Sequence, residues 1–260
     1  TDPSAPRRGA ARGELAFEDV SFTYPGAEEP ALSHISFTSH AGETTAIIGS
    51  TGSGKSSLLN LILRFYDVTG GRILVDGVDV REYSQQELRG KIGYVPQRAV
   101  LFSGSIAENL RLGREDASDS ELSRAVSIAQ ADEFVNRREG GLEAELSQGG
   151  ANLSGGQKQR LSIARAVARR PEIYLFDDSF SALDFTTDAK LRAALSGETK
   201  DATVLIVAQR VSTIRHADRI LVLDGGEQVG LGTHRELLKS CPVYREIAES
   251  QLSQKEIDYE

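Results

Sequence analysis

The sequence 49-GSTGSGKS-56 decides the fold, because it fits the pattern G-x-x-x-x-G-K-[ST] of a phosphate-binding loop. The apolar run Thr45–Ile48 precedes it and predicts a buried strand, whereas residues 57–63 follow it with the apolar spacing of a helix. A glycine-rich loop between a strand and a helix turns successive backbone N–H groups toward one anion. The stretch therefore predicts an α/β protein of the P-loop type that binds a nucleotide.

The residue types inside the loop match the groups of a nucleoside triphosphate. Glycine permits backbone conformations that a Cβ would block, so the chain can approach a phosphate closely. Lys55 would place a positive charge on the β- and γ-phosphates, and the Ser56 hydroxyl would be a ligand for Mg²⁺. The predicted nucleotide-binding residues of this segment are Gly49, Ser50, Thr51, Gly52, Ser53, Gly54, Lys55, Ser56 and Ser57.

Composition excludes several other classes of protein. With 260 residues the chain is long enough for one large domain. Its formal net charge of -8 argues against general binding to nucleic acid or to anionic membranes. The single cysteine, Cys241, excludes an intramolecular disulfide and a cysteine-based zinc site. No apolar run approaches the roughly 20 residues that span a bilayer as a helix.

Apolar patterns along the chain predict strands that alternate with helices around the P-loop. Strands are predicted at 15–24, 32–38, 44–48, 72–75, 92–95, 173–176, 203–207 and 220–223. Helices are predicted at 106–110, at 118–129, from Ser154 to the stop at Pro171, at 237–238 and at 244–252. This alternation indicates a mostly parallel core sheet, and the β-rich start and helical middle indicate two attached subdomains.

A second candidate anion site is 152-NLSGGQKQR-160. Ser154, Gly155 and Gly156 precede a predicted helix, so a hydroxyl, glycine N–H groups and the positive end of the helix dipole lie together. Two such motifs in one chain are hard to place on a single triphosphate.

With these motifs in this order, the chain resembles the nucleotide-binding domain of ABC (ATP-binding cassette) transporters over residues 14–252. The resemblance implies the ABC-ATPase version of the P-loop NTPase fold, with a mostly parallel core sheet, an N-terminal antiparallel β subdomain and an α-helical subdomain at about 98–168. The implied cofactors are ATP and Mg²⁺. The implied partner is a second nucleotide-binding domain, arranged head to tail.

The resemblance also implies roles for single residues. Tyr24 would stack on adenine, Gln97 would contact Mg²⁺ and sense a transmembrane domain, and Asp177 would hold Mg²⁺, which gives the metal set Ser56, Gln97 and Asp177. The signature motif, which binds the partner's ATP, is Leu153, Ser154, Gly155, Gly156 and Gln157. The D-loop is Ser181, Ala182, Leu183 and Asp184.

The stretch 100-VLFSGSIAENL-110 is similar to the exporter branch of the family. In that branch a six-helix membrane domain usually precedes the ATPase in one polypeptide, at the cytoplasmic face of the cell membrane. The absence of a starting methionine and the composition of residues 1–13 fit a linker from such a domain. Residues 253–260 are expected to be a C-terminal tail, and Phe102 and Phe134 are expected to pack inside the helical subdomain.

Two positions depart from the family pattern, and both concern hydrolysis. Asp178 stands where the family has a glutamate that polarises the attacking water, so the carboxylate is retracted by about 1.5 Å. Gln209 stands where the family has a histidine, and an amide donates a hydrogen bond but carries no charge. Lys55, Asp178 and Gln209 are thus the predicted catalytic residues of an impaired site.

Intact binding motifs beside an altered hydrolytic pair resemble one half of a heterodimeric exporter of the multidrug or lipid type. In such a pair this chain's own site would turn over slowly, and its signature would complete the partner's competent site. The alternatives are an active homodimeric exporter ATPase and a regulatory ATP-binding module without hydrolysis. A chromosome or DNA-repair ABC ATPase is disfavoured, because no coiled-coil heptads separate the two motifs and no nucleic-acid partner is expected.

Overall fold

The structure is a computed structural model that describes residues 12–252 of the chain. The strands are β1 Leu15–Phe22, β2 Leu32–Ser39, β3 Thr44–Gly49, β4 Gly70–Val75, β5 Val78–Asp79, β6 Ile92–Val95, β7 Gly104–Ser105, β8 Glu145–Leu146, β9 Ile173–Asp177, β10 Thr203–Val207, β11 Arg219–Asp224 and β12 Glu227–Gly232. The helices are α1 Lys55–Ile62, α2 Gln85–Gly90, α3 Ile106–Arg111, α4 Asp119–Ile128, α5 Asp132–Asn136, α6 Gly155–Arg169, α7 Phe185–Glu198, α8 Val211–Ile214, α9 His234–Ser240 and α10 Pro242–Gln251. Two 3-10 turns cover Gly141–Glu143 and Gln148–Gly150.

Ten strands form one sheet in the order β5-β4-β1-β2-β12-β11-β3-β10-β9-β6. From β11 to β6 all neighbours are parallel, while β5, β4, β1 and β2 pair antiparallel. This confirms the predicted fold class, a mostly parallel core with an N-terminal antiparallel part. Val207 pairs with both Ile47 and Asp177, so β3, β10 and β9 end at the same edge of the sheet.

Apolar side chains divide into three clusters around this sheet. One cluster joins α3, α4 and α6 and contains the fully buried Leu161. The second packs α1 against the N-terminal strands, and the third packs α8, α9 and α10 against β11. The P-loop helix and the signature helix α6 therefore rest on different apolar clusters, connected through the parallel sheet.

The structure differs from the sequence prediction in a few elements. Strand β12 was missed, because its sequence EQVGLG has glycines in place of an apolar alternation. Helix α7 was missed too, since it buries only Leu191 and Leu195. Phe134 is buried as expected, but the placement of Phe102 was wrong, because 55% of this residue is exposed.

Of the predicted linker 1–13, only residues 12–13 are described, and the predicted tail 253–260 lies outside the described residues. Arg12 forms an ion pair with Glu172, and the N–H of Gly13 donates to Asp76. These two residues are thus attached to the domain. Within residues 12–252, no helix combines the length and the apolar character that a membrane crossing requires.

Candidate functional site

The P-loop joins β3 to α1 through backbone that side chains would disturb. A Cβ on Gly49 would lie 2.1 Å from the carbonyl oxygen of Leu223, and Gly54 has a φ of +100°. Gly54 is the N-cap of α1 and offers no side chain to the first turn. The first N–H groups of α1 therefore keep their capacity to bind an anion.

Lys55 lies over this loop and touches its backbone. Its Nζ donates to the carbonyl oxygens of Gly49 and Ser50, at 2.8 and 2.7 Å, and to Ser53 Oγ at 3.2 Å. Burial lowers the pKa of Lys55, and the charges of Asp177 and Asp178 oppose that shift. The ammonium is thus a partly desolvated charge that faces the carboxylates of β9.

The end of β9 presents two consecutive carboxylates. Asp177 pairs with the last residue of β10, and Asp178 follows with a left-handed φ of +44°. Burial is the main cause that raises the pKa of Asp177, helped by the charge of Asp178, whereas the Tyr94 hydrogen bond and Lys55 lower it. Burial and the charge of Asp177 in turn raise the pKa of Tyr94 to about 12, so this phenol is a neutral donor at 3.4 Å.

Two glutamines meet at Asp178. The amide nitrogens of Gln97 and Gln209 both donate to its Oδ2, at 3.2 and 3.3 Å. The residues come from three segments, which follow β6, β9 and β10. The structure thus brings together Gln97, Asp178 and Gln209, three of the predicted site residues.

The proposed metal ligands supply oxygen atoms only. Ser56 is exposed, Asp177 is half-buried, and Gln97 contributes an amide oxygen. Within residues 12–252, no group of three or more His, Cys, Asp or Glu side chains could hold a metal ion. Few protein oxygens together with substrate phosphates are what Mg²⁺ uses, and a cation would favour the ionised form of Asp177. The donor set fits Mg²⁺ held jointly with a nucleotide.

An aromatic group adjoins the P-loop helix. The Tyr24 ring lies edge-on to Phe22 and to Tyr66, with centroid separations of 4.7 and 5.2 Å. Its hydroxyl is 2.9 Å from the hydroxyl of Ser57, which is buried in α1. Tyr24 therefore lies beside the P-loop helix, and its stacking on adenine stays a prediction. The sequence reasoning missed Tyr66, whose only signal was a pair of aromatic residues after α1.

The signature residues begin α6 as a capping box. Ser154 is the N-cap, its Oγ accepts from the N–H of Gln157 at 3.2 Å, and its own N–H donates to Gln157 Oε1 at 3.0 Å. Leu153 is buried, whereas Ser154 and Gly155 are exposed. The Ser154 hydroxyl retains its proton for a further acceptor, so the exposed helix start can bind an anion.

The D-loop lies between Asp178 and the signature. Ser181 Oγ donates to the carbonyl oxygen of Asp178 at 2.8 Å, and a Cβ on Gly156 would lie 3.2 Å from the carbonyl oxygen of Ala182. Leu183 is buried, and Asp184 caps α7 by accepting from the N–H of Thr187. The segment 181–184 therefore connects the carboxylate pair to the start of α6.

Two buried side chains that sequence reasoning left unassigned fasten the segment before Gln97. Gln159 Nε2, on α6, donates to the carbonyl oxygen of Pro96 at 3.0 Å. Ser179 Oγ donates to the carbonyl oxygen of Val95 at 2.8 Å. Gln159 stood inside the quoted stretch 152–160, but its partner is 63 residues away, and a sequence pattern does not reveal such a pair.

A groove of about 360 Å³ lies between strand β6 and helix α6. Phe65, Val100 and Leu112 line it, and each is more than half exposed. Arg165, also on its wall, donates to the carbonyl oxygen of Val100 at 2.5 Å. Exposed apolar side chains that line one groove make it a candidate interaction surface.

Comparison with known proteins gives consistent similarities. The profile of the ABC transporter family matches residues 32–181. The chain is 52% identical over 253 residues to an uncharacterized ABC transporter ATP-binding protein of Mycobacterium tuberculosis, and the match covers 96% of this chain and 43% of that protein. It is 44% identical over 238 residues to an ATP-dependent lipid A-core flippase of Vibrio vulnificus, over 91% of this chain and 41% of the flippase.

A solved structure shares the fold. A bacterial Atm1-family ABC exporter with ATP bound superposes with a TM-score of 0.91 at 38% identity, over 97% of this chain and 44% of that chain. The chain thus spans about two fifths of the length of the curated relatives it matches, at 43% and 41%.

Proposed function

The chain belongs to the ABC transporter family, and from that premise we propose that it is the ATP-binding domain of an exporter, which closes on a second such domain around Mg²⁺-ATP. The observation that carries the proposal is the edge where β3, β10 and β9 end. There the P-loop, Lys55 and the pair Asp177 and Asp178 lie together. Phosphoryl transfer depends mainly on positioning and charge stabilisation, and this edge supplies both.

Each group has a task in this proposal. The P-loop N–H groups and Lys55 bind the β- and γ-phosphates. Ser56, Gln97 and Asp177 hold Mg²⁺, which neutralises charge on those phosphates when bound. Asp178 accepts a proton from the attacking water, and the Gln209 amide donates to the γ-phosphate. Both glutamines already contact Asp178, so substrate binding rearranges contacts that exist.

The exposed start of α6 supports pairing with a second domain. Ser154 would donate to the γ-phosphate of ATP held by the partner, in a head-to-tail dimer. We further propose that the partner is non-identical, because Asp178 and Gln209 impair this chain's own site. An active homodimer is the alternative, and it requires Asp178 to place water well despite its shorter side chain.

The pairing of two ATP-binding domains can be tested by substituting two comparable helix N-cap serines. Ser154 caps α6 and Ser118 caps α4 with the same capping box, and both are exposed. We expect Ser154→Ala to weaken ATP-dependent association, measured by analytical ultracentrifugation of the chain alone and with a candidate partner domain. Each substitution removes one cap of about 1 kcal/mol, so Ser118→Ala controls for stability. Equal effects of the two substitutions would contradict the proposal. So would the absence of ATP-dependent association both in the chain alone and in the chain with the partner domain.

The apolar groove is a candidate contact surface for a transmembrane domain. We propose that the groove lined by Phe65, Val100 and Leu112 receives a segment of the transmembrane domain. The chain spans only about two fifths of its relatives, which leaves room for such a domain in one polypeptide. On this proposal residues 1–13 are the linker, 14–252 the ATP-binding domain with its helical part at about 98–168, and 253–260 the tail. The domain would lie at the cytoplasmic face of the membrane.

Tyr24 provides a test of base recognition. We expect Tyr24→Ala to weaken ATP binding about tenfold, since aromatic stacking on a base contributes about 1–3 kcal/mol. Binding of inorganic triphosphate should stay unchanged, because it has no base. Isothermal titration calorimetry measures both ligands, and Tyr24→Phe, which keeps the ring, is the control. A parallel loss for ATP and triphosphate would show that Tyr24 supports the P-loop instead.

A further inference from the structure

Gln251, the last residue of α10, holds the backbone on both sides of Arg210. Its Oε1 accepts from the N–H of Val211 at 2.8 Å, and its Nε2 donates to the carbonyl oxygen of Gln209 at 2.9 Å. Gln251 is 40 and 42 residues away from these partners in sequence. One side chain thus fastens the C-terminal helix to the segment between β10 and α8.

The need for this contact lies in α8 itself. The N–H groups in the first turn of a helix have no intrahelical partner. Arg210, the N-cap of α8, makes no side-chain cap. Gln251 satisfies the Val211 N–H from outside, so it acts as a cap supplied by another helix.

Helix α10, which carries Gln251, is packed against the rest of the domain. Tyr244 and Ala248 are fully buried, and they share an apolar cluster with Ala208 and Val211. The helix therefore packs against the same segment that Gln251 holds. A contact anchored in packing fixes geometry better than one between two exposed loops.

The segment that Gln251 holds, residues 209–211, includes Gln209, whose side chain contacts Asp178. The carbonyl oxygen of Gln209 accepts from Gln251 Nε2, and its side-chain amide nitrogen donates to Asp178 Oδ2. We propose that Gln251 is a positioning residue: it sets where the Gln209 amide stands relative to Asp178, and so makes the C-terminal helix part of the control of ATP hydrolysis. The second half of this statement rests on the function proposed above.

Amide hydrogen exchange tests the positioning directly. Loss of the Gln251 acceptor leaves the Val211 N–H without its partner, and a hydrogen bond of about 1 kcal/mol corresponds to about fivefold faster exchange. We expect this for Gln251→Ala, measured residue by residue by NMR on the chain. Ser250→Ala is the matched control, because Ser250 Oγ donates to the carbonyl oxygen of Ile247 inside α10. Unchanged Val211 exchange in Gln251→Ala, or equal acceleration in Ser250→Ala, would overturn the proposal.

Catalysis tests the consequence. We expect Gln251→Ala to lower kcat about tenfold at this site. This is less than the roughly 10²-fold cost of a misplacement of about 1 Å, because the Gln209 amide keeps its hydrogen bond to Asp178. The KM for ATP should not change, and the assay uses the assembled transporter with the partner site inactivated. Gln251→Glu keeps an acceptor for Val211 but loses the donor to Gln209, so it should keep slow exchange and still lose activity.

The two readouts separate the two claims. An unchanged kcat in Gln251→Ala, alongside faster Val211 exchange, would overturn the role in hydrolysis. A rise in the KM for ATP together with a fall in kcat would indicate general destabilisation, and it would also overturn the role of Gln251 in hydrolysis. A chain that binds no ATP at all would contradict the proposed function, while the exchange of Val211 would still decide whether Gln251 holds this segment.

Discussion

Lys55→Ala is expected to weaken binding of Mg²⁺-ATP by about 10²-fold, because charge-assisted hydrogen bonds contribute about 1.5–3 kcal/mol each. Lys55 contacts the loop backbone and is partly buried beside Asp177 and Asp178. Without it, the phosphates would meet two carboxylates and no compensating ammonium. Fluorescence titration with a labelled ATP analogue measures the loss.

The control must separate charge from folding. Lys239 on α9 is exposed and lies outside the site, so Lys239→Ala removes one positive charge without touching the P-loop. Its ATP affinity should equal that of the unaltered chain. Circular dichroism on heating would show whether Lys55→Ala remains folded. An ATP affinity of folded Lys55→Ala equal to that of Lys239→Ala would contradict the assignment of the P-loop.

The P-loop and its surroundings were predictable because local sequence determines them. The strand at 92–95 was predicted with its observed bounds, and the predicted caps and stops of α6 also match. The strand is a short apolar run that ends before Pro96, and the helix begins after Ser154 and ends before Pro171. Such signals act over a few residues, where turn chemistry and apolar spacing are strong.

The side chains that fasten the site were not predictable in this way. Gln159, Ser179 and Gln251 bond to backbone atoms 40 to 84 residues away. Their partners are defined only once the sheet order is known. Phe102 shows the opposite error, because an apolar residue was assigned to a core and is exposed. Single large apolar residues are often exposed on folded domains, so apolar character alone does not place a residue in a core.

Asp178→Glu combined with Gln209→His is expected to raise ATP hydrolysis at this chain's own site by about 10²-fold. The reason is that hydrogen bonds hold the Asp178 backbone on both sides, so the length of the side chain sets how far the carboxylate reaches. Its N–H donates to the carbonyl oxygen of Val207, and its carbonyl oxygen accepts from Ser181 Oγ, each at 2.8 Å. Only a longer side chain can bring the carboxylate nearer to a γ-phosphate, and a shift of about 1 Å is worth about 10²-fold.

The gain requires that stability is retained. Asp178 has a left-handed φ of +44°, a conformation that aspartate adopts more readily than glutamate. A modest fall in melting temperature is therefore expected for Asp178→Glu, and calorimetry measures it. Asp178→Asn is the control for the base, because it keeps the size of the side chain and removes the proton acceptor. It should not gain activity.

The two substitutions should not act independently, because Gln209 and Asp178 share a hydrogen bond of 3.3 Å. In Gln209→His alone, an imidazolium would face the short carboxylate and bind it, which would hold the base away from water. In Asp178→Glu alone, the amide supplies no charge to the γ-phosphate. Single-turnover rates for the four variants form a double-mutant cycle, with an expected coupling above about 0.5 kcal/mol. Strict additivity, or no gain in the double variant, would show that the altered pair does not limit this site.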